Sequence, residues 1–265
     1  MDRPNPRRVR ELERAIVARR FEKYERLPHF YCDFVPEYVG FHSKRFAWML
    51  AFLESARINA ESKILDVGPT FTAKLLHDHF GAHVDALSFS PDEETYFGKN
   101  YRFDLNLSQN RETWRLDLGP YDAIVFSEVI EHLYTAPRVV LQYLRELLKP
   151  GGIMVVQTPN ALGLKQRIKL LLGRHPYEPI SEDPGSPNHF RESTLDELVG
   201  HAKRAGLEVV SAGHYNYFNA GFRQKSSMAS QVPGWVGALY FRLQDFVPPK
   251  MRRGLMLVCR RPLES

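Results

Sequence analysis

Apolar residues in this chain change their period several times. Between residues 7 and 26 they recur at helical spacing, with Val9, Leu12 and Ile16 on one stripe and Val17, Phe21 and Tyr24 on a neighbouring one. An aromatic stretch from Pro28 to Phe46 follows, carrying Phe30, Tyr31, Phe34, Tyr38, Phe41 and His42. It reads as an extended cap that either lines a pocket or packs on the body of the fold. Helical spacing resumes over 43–57 through Phe46, Met49, Leu50 and Leu53. Short apolar runs then begin: Ile64–Val67, His83–Phe89, Tyr121–Phe126, Ile153–Gln157, Leu207–Ser211 and Leu255–Cys259, with a weaker one near Tyr101–Leu105. Mostly apolar runs of this length suit strands buried on both faces of a parallel sheet.

Helical stretches separate these runs. Thr72–Phe80 reads as a helix ended by Gly81. Ser90-Pro91-Asp92-Glu93 offers an N-cap serine, a proline at the first position and first-turn acids, which predicts a helix start. Val129–Leu148 is predicted as one helix closed by Lys149-Pro150-Gly151-Gly152. Leu162–Leu172 is a basic-apolar helical stretch, and Thr194-Leu195-Asp196-Glu197 is a capping box opening a helix to Gly206. Gly173–Asn188, rich in Pro, Gly and Ser, reads as a lid-like loop. Residues 219–249 read as an insertion with an amphipathic piece at Trp235–Phe246. Strands alternating with helices predict an α/β fold with a doubly wound parallel sheet. The expected division is a helical and aromatic cap over 1–45 and a single domain over 46–265.

Composition changes this picture little. The 265 residues are 43% hydrophobic and 12% aromatic, enough for a sizeable core and against disorder. No apolar run is long enough to span a bilayer, and the first residues lack the apolar centre of an export signal, so a cytoplasmic protein is expected. Cys32 and Cys259, the two cysteines, form neither a zinc spacing nor a disulfide framework. The net charge of +5 is uneven: residues 1–26 and 241–265 each contribute +4 and the middle −3. A solvated surface accounts for this, and weak attraction to an anionic membrane or nucleic acid is the sharper alternative.

Candidate chemistry begins at Lys63–Pro69, K-I-L-D-V-G-P. Asp66 ends a strand and Gly68 follows it, where backbone can turn sharply and approach a ligand. In open α/β sheets ligands bind beyond the strand ends. Asp66 is then a ligand group or a cap on the next helix. A second cluster is E-x-x-E-H, formed by Glu128, Glu131 and His132. With a helix beginning near Glu128, these residues share a face. Two carboxylates and an imidazole can hold Mg²⁺, Mn²⁺ or Zn²⁺, with His189 as a fourth ligand. Alternatively His132 is a metal-free general base oriented by the acids, or the cluster is structural, and His189 fixes its own loop.

Six stations stand in order: I-L-D-V-G at 64–68, Y-D-A-I-V-F at 121–126, E-V-I-E-H-L at 128–133, L-L-K-P-G-G at 147–152, T-P-N at 158–160 and H-F-R-E-S-T at 189–194. Together they resemble the class I S-adenosylmethionine (SAM)-dependent methyltransferases, most of all the small-molecule and quinone O-methyltransferase branch. The resemblance spans residues 45–212 and the last strand. It implies a Rossmann-like, doubly wound, mostly parallel seven-stranded sheet with helices on both faces and an N-terminal helical cap. It also implies SAM as cofactor, with Asp66 and Gly68 at its amino-acid end, Asp104 at the adenine, and Ser127 and Glu128 at the methionine portion. Two departures stand out. Pro69-Thr70-Phe71-Thr72 replaces the family's glycine-rich loop, and Ser88 falls where the family places an acid on the ribose. The E-x-x-E-H spacing resembles the metal-dependent ubiquinone-type O-methyltransferases and small-RNA 2′-O-methyltransferases, which makes His132, Glu131 and His189 the catalytic candidates.

The expected function is methylation of a hydroxyl on a small molecule or a glycan or lipid-linked precursor. The alternatives are a metal-dependent RNA 2′-O-methyltransferase and a non-catalytic protein that keeps the fold. No RNA-binding module is evident in the sequence, which counts against nucleic acid as partner. Residues 162–172 and 235–253 mix apolar and basic positions, as peripheral membrane contacts do.

Overall fold

A computed structural model of the chain describes residues 3–19, 36–69, 71–95, 97–182, 188–219 and 246–263. The elements in chain order are α1 (Pro6–Arg19), α2 (Pro36–Ser55), β1 (Lys63–Val67), α3 (Thr72–Phe80), β2 (His83–Ser88), β3 (Glu93–Glu94) and β4 (Lys99–Arg102). There follow β5 (Tyr121–Ser127), α4 (Pro137–Glu146), β6 (Leu148–Pro159), α5 (Leu164–Leu171), α6 (Leu195–Arg204), β7 (Glu208–Tyr215) and β8 (Gly254–Arg260). The parts of the expected cap at 20–35, the loop at 183–187 and the insertion at 220–245 lie outside the described residues, as do Cys32 and Thr70.

One eight-stranded sheet runs in the order β3-β4-β2-β1-β5-β6-β8-β7. β1 pairs in parallel with β2 and with β5, while β8 runs antiparallel to both neighbours. The chain moves outward from β1 through β2 and β4, then returns to β5 on the other side of β1. At such a reversal open α/β sheets place their ligands beyond the strand ends, here those of β1 and β5. The sheet is the expected mostly parallel one, enlarged by the two-residue strand β3.

Each strand divides its side chains between two cores. Ile64, Ala123, Val125 and Val155 face α1, α2 and α3. Leu65, Val67, Ile124 and Phe126 face α4 and α6. Asp66 falls on the α2–α3 side. α1 docks on α2 by burying Val9, Leu12 and Ile16, and Arg8 donates from Nη2 (2.6 Å) and Nε (2.9 Å) to the Glu54 carboxylate. Cys259 is a free, fully buried thiol in β8.

Two local expectations are corrected. Ser90-Pro91-Asp92-Glu93 does not start a helix. The Asn100 amide donates to the carbonyls of Ser90 (3.2 Å) and Pro91 (2.8 Å), Asp92 accepts from the Arg102 N–H (2.7 Å), and Glu93–Glu94 pairs antiparallel with Asn100 and Lys99. These partners from β4 outcompete the local capping signal. Nor is Val129–Leu148 one helix. A short 3-10 turn at Ile130–His132 precedes α4, which opens with Pro137 at its first position. Proline lacks the N–H a continuing helix needs and disfavours helical backbone before it.

Candidate functional site

The crevice is built from β1, β5 and α2. Gly68 leaves β1 with φ +67°, donates to the Leu87 carbonyl (2.9 Å), and has no room for a Cβ, which would lie 2.3 Å from Val129 Cγ2. Asp66 is 1% exposed, accepts from Thr72 Oγ1 and interacts with the Ala73 N–H, so it caps α3. Burial pushes its carboxyl up to about 7, against the Thr72 hydrogen bond and the nearby Arg45 charge that pull it down. Phe71, in the loop where glycines were expected, turns inward and packs edge-on against Phe46 of α2 at 4.6 Å between ring centres.

Around this point the other expected cofactor residues take separate positions. Ser88 ends β2, and its hydroxyl donates to Asn100 Oδ1 (2.8 Å). Asp104 caps the 3-10 turn Leu105–Gln109 by accepting from the Asn106 N–H (2.8 Å). Ser127 closes β5 and donates to Gln157 Oε1 (2.8 Å), whose amide donates to the Arg45 carbonyl (3.1 Å). Glu128 adopts φ +56° and directs Oε2 to within 3.3 Å of Arg45 Nη1.

The predicted E-x-x-E-H face forms differently, because these residues occupy a turn rather than a helix. Donor atoms of Glu131, His132 and His189 lie within 4.8 Å of one another. Glu128 stands apart from this trio on its ion pair with Arg45, while its charge still reaches Glu131. Glu131 is 1% exposed. Its Oε2 accepts from Thr158 Oγ1 (2.9 Å), and its Oε1 has no hydrogen-bond partner among the described residues. Burial first, then the Glu128 carboxylate, holds its carboxyl well above the usual range. His189 arrives because the N–H groups of Phe190 (2.8 Å) and Arg191 (3.2 Å) donate to the Glu131 carbonyl. Its Nδ1 lies 3.0 Å from Glu192 Oε1, a contact that directs Nε2 to the cluster as a lone-pair donor.

A family described as "Methyltransferase domain" matches residues 38–212. The chain belongs to this methyltransferase family. Its members of class I use SAM, and the eight-stranded sheet and its switch-point crevice accord with that membership. A probable S-adenosylmethionine-dependent methyltransferase of Mycolicibacterium smegmatis is 34% identical over 88 residues, which are 33% of this chain and 29% of that protein. The match thus spans under a third of that relative's length. Among solved structures, an S-adenosylmethionine-dependent methyltransferase from Mesorhizobium loti superposes with TM-score 0.50 at 15% identity, over 82% of this chain and 98% of that one. The protein solved with the Haloferax volcanii Trm112 methyltransferase activator gives TM-score 0.53 at 14% identity, over 79% and 88%. At these identities the structures share the fold.

For a methyltransferase, the residue missing from the sequence reading is Arg45. It lies on α2, 2% exposed, with its guanidinium beside Asp66 and Glu128. Nη2 donates to the Tyr38 hydroxyl (3.0 Å), but Nε has no hydrogen-bond partner among the described residues. Its charge is balanced by the Glu128 carboxylate, 3.3 Å from Nη1, which leaves Nε as a donor facing no acceptor among the described residues. The signal was present: Lys44 and Arg45 are the only charges in the apolar run Tyr38–Leu53. Arg45, Asp66 and Glu128 thus bring one guanidinium and two carboxylates together beside the Gly68 turn.

Proposed function

We propose that this protein is a SAM-dependent methyltransferase that methylates a hydroxyl of a small molecule or a lipid- or glycan-linked precursor. The observation that carries this reading is the meeting of Glu131, His132 and His189 near Arg45, a buried guanidinium whose Nε has no hydrogen-bond partner among the described residues. Bound SAM supplies a methyl group made electrophilic by its sulfonium. Arg45 and Asp66 hold its amino-acid end, Asp104 its adenine and Ser88 its ribose. Ser88 offers one hydroxyl, so the ribose is held by a neutral bond about half as strong as one to a carboxylate.

A hydroxyl acceptor must lose its proton as its oxygen attacks the methyl carbon. His189, with Nδ1 turned to Glu192, presents Nε2 to accept that proton, and His132 stands beside it at 4.8 Å between ring centres. The same donor set suits a divalent cation. The free Oε1 of Glu131, His132 and His189 would hold it, and it would lower the hydroxyl pKa. In both cases positioning supplies most of the rate, because the protein forms no covalent bond.

Titration calorimetry with SAM tests the cofactor: no heat and no thermal shift at millimolar ligand would overturn the reading. Arg45→Met is expected to weaken SAM by about 10- to 100-fold, the loss of a charge-assisted hydrogen-bonded pair. Methyl transfer to a panel of hydroxyl acceptors with and without EDTA separates the two chemistries. Loss on chelation and recovery with Mg²⁺, Mn²⁺ or Zn²⁺ assigns the cluster to a metal. Insensitivity to EDTA with a fall in kcat of about 10²- to 10⁴-fold in His189→Ala assigns it to general base catalysis.

A further inference from the structure

α5 presents an apolar face to solvent and a polar side chain to the protein. Gln166 is its buried residue, whereas Ile168, Leu171 and the C-cap Leu172 are 46%, 86% and 65% exposed. At helical spacing these three lie opposite Gln166, and Leu164 shares their side. A surface helix ordinarily turns its apolar stripe inward. A polar contact accompanies the reverse orientation here: buried Gln166 Nε2 donates to Glu192 Oε2 (3.4 Å).

Cations border this apolar face. Lys165 and Arg167 flank it, and residues 162–174 carry four Lys or Arg and no acid. The turn at 250–253 adds Lys250, Arg252 and Arg253 without an acid. It is tied to the start of α5, since Asn160 Nδ2 donates to the carbonyls of Arg252 (2.7 Å) and Lys250 (3.2 Å). Lys165, half-buried, lies in the field of Arg253 and Lys169 and also of Glu178 and Glu192, and Lys169 pairs with Glu178 (2.9 Å), so the cations outnumber the acids at this face without being the only charges there. Like charges gathered around exposed leucines complement a surface that is apolar within and anionic at its rim.

We propose that α5 and the 250–253 turn dock this protein on an anionic lipid bilayer. Ile168, Leu171 and Leu172 enter the acyl boundary, and the surrounding Lys and Arg reach the lipid phosphates, their stems lying along the apolar surface. The docked helix is one step from the candidate site: Gln166 touches Glu192, and Glu192 holds His189. The inference concerns the surface alone and stands whether or not that site performs methyl transfer.

Co-sedimentation of the full chain with vesicles tests it. Binding is expected to phosphatidylcholine vesicles containing about one third phosphatidylglycerol and not to pure phosphatidylcholine, and it should fall steeply as salt rises. Ile168→Asp with Leu171→Asp, both at exposed positions, should lower vesicle affinity more than about tenfold while leaving the circular dichroism and Tm unchanged. Arg167→Gln with Arg174→Gln should weaken anionic vesicles about tenfold. No sedimentation above the vesicle-free baseline overturns the proposal. So does equal binding by the double-Asp protein, or binding indifferent to lipid charge and salt. A dimer formed without vesicles, lost in the double-Asp protein and accompanied by no vesicle binding, would instead make this face a contact between copies of the chain.

Discussion

Two aspartates of neighbouring strands show how residue environment divides roles. Asp85 in β2 accepts from the Tyr121 hydroxyl (2.9 Å) and the Lys99 N–H (2.9 Å), and lies 3.0 Å from Lys63 Nζ. Although burial disfavours its charge, these partners hold its carboxyl below the usual range. It is a structural anion. Asp66 has fewer partners, and burial pushes it up to about 7. The unfolded chain releases the Asp66 proton near pH 4 and the folded chain holds it to about 7. The folded state thus binds more protons in that window, and stability falls as pH rises through it. Denaturant unfolding at about pH 5 and about pH 8 should show Asp66 contributing a loss on the order of 2 kcal/mol, absent in Asp66→Asn. The same pH response in both proteins would refute this. Gly68 gives a second residue-level expectation. Gly68→Ala adds a left-handed alanine and a clash with Val129, and should cost at least about 1–2 kcal/mol in chemical denaturation. Val129→Ala in the same chain should recover the part due to the clash and leave the backbone part.

At the scale of elements, sequence signals held where the partners are local. Thr194 and Glu197 form the capping box read from the sequence: the Thr194 hydroxyl accepts from the Glu197 N–H (3.3 Å), and Glu197 accepts from the Thr194 N–H (2.9 Å). Thr194→Ala should cost about 1 kcal/mol, measurable as a fall in Tm, and an unchanged Tm would show the cap to be redundant. Gly81 ends α3 as expected, in the left-handed conformation with its N–H on the His77 carbonyl. The signals failed where partners are distant. Ser90–Glu93 had every mark of a helix start, but Asn100 and Arg102 claim its polar groups. Glu131, His132 and His189 come together through a turn and the carbonyl of Glu131, not through helical periodicity, and Glu128 pairs with Arg45 instead. Arg45 stands out as a charge in an apolar run, but its relation to Asp66 and Glu128 depends on how α2 lies over β1 and β5, and no local spacing encodes that.

The whole molecule joins α2 to the sheet at the crevice. Arg45 reaches Glu128 at the end of β5, and Gln157 of β6 donates to the Arg45 carbonyl. Phe46 packs on Phe71 just after β1. In the proposed reading, a ligand held by Arg45 on one side and by Asp66 and Gly68 on the other ties helix and sheet together. It binds the folded chain alone, so it should raise stability by about 2.7 kcal/mol at a hundredfold excess over Kd. Amide hydrogen exchange should resolve where that stabilisation falls. SAM is expected to slow exchange both in α2 around Arg45 and in the turn from Gly68 to Phe71. In Arg45→Met, SAM at saturating concentration should still protect the turn but leave α2 near its ligand-free rate. Protection of α2 undiminished in Arg45→Met would show that the arginine is only a packing residue, and that some other group holds the carboxylate. Protection confined to β2 and the Leu105–Gln109 turn would place the ligand at the Ser88 and Asp104 end of the crevice, with its amino-acid portion outside the pocket that Arg45 and Asp66 form.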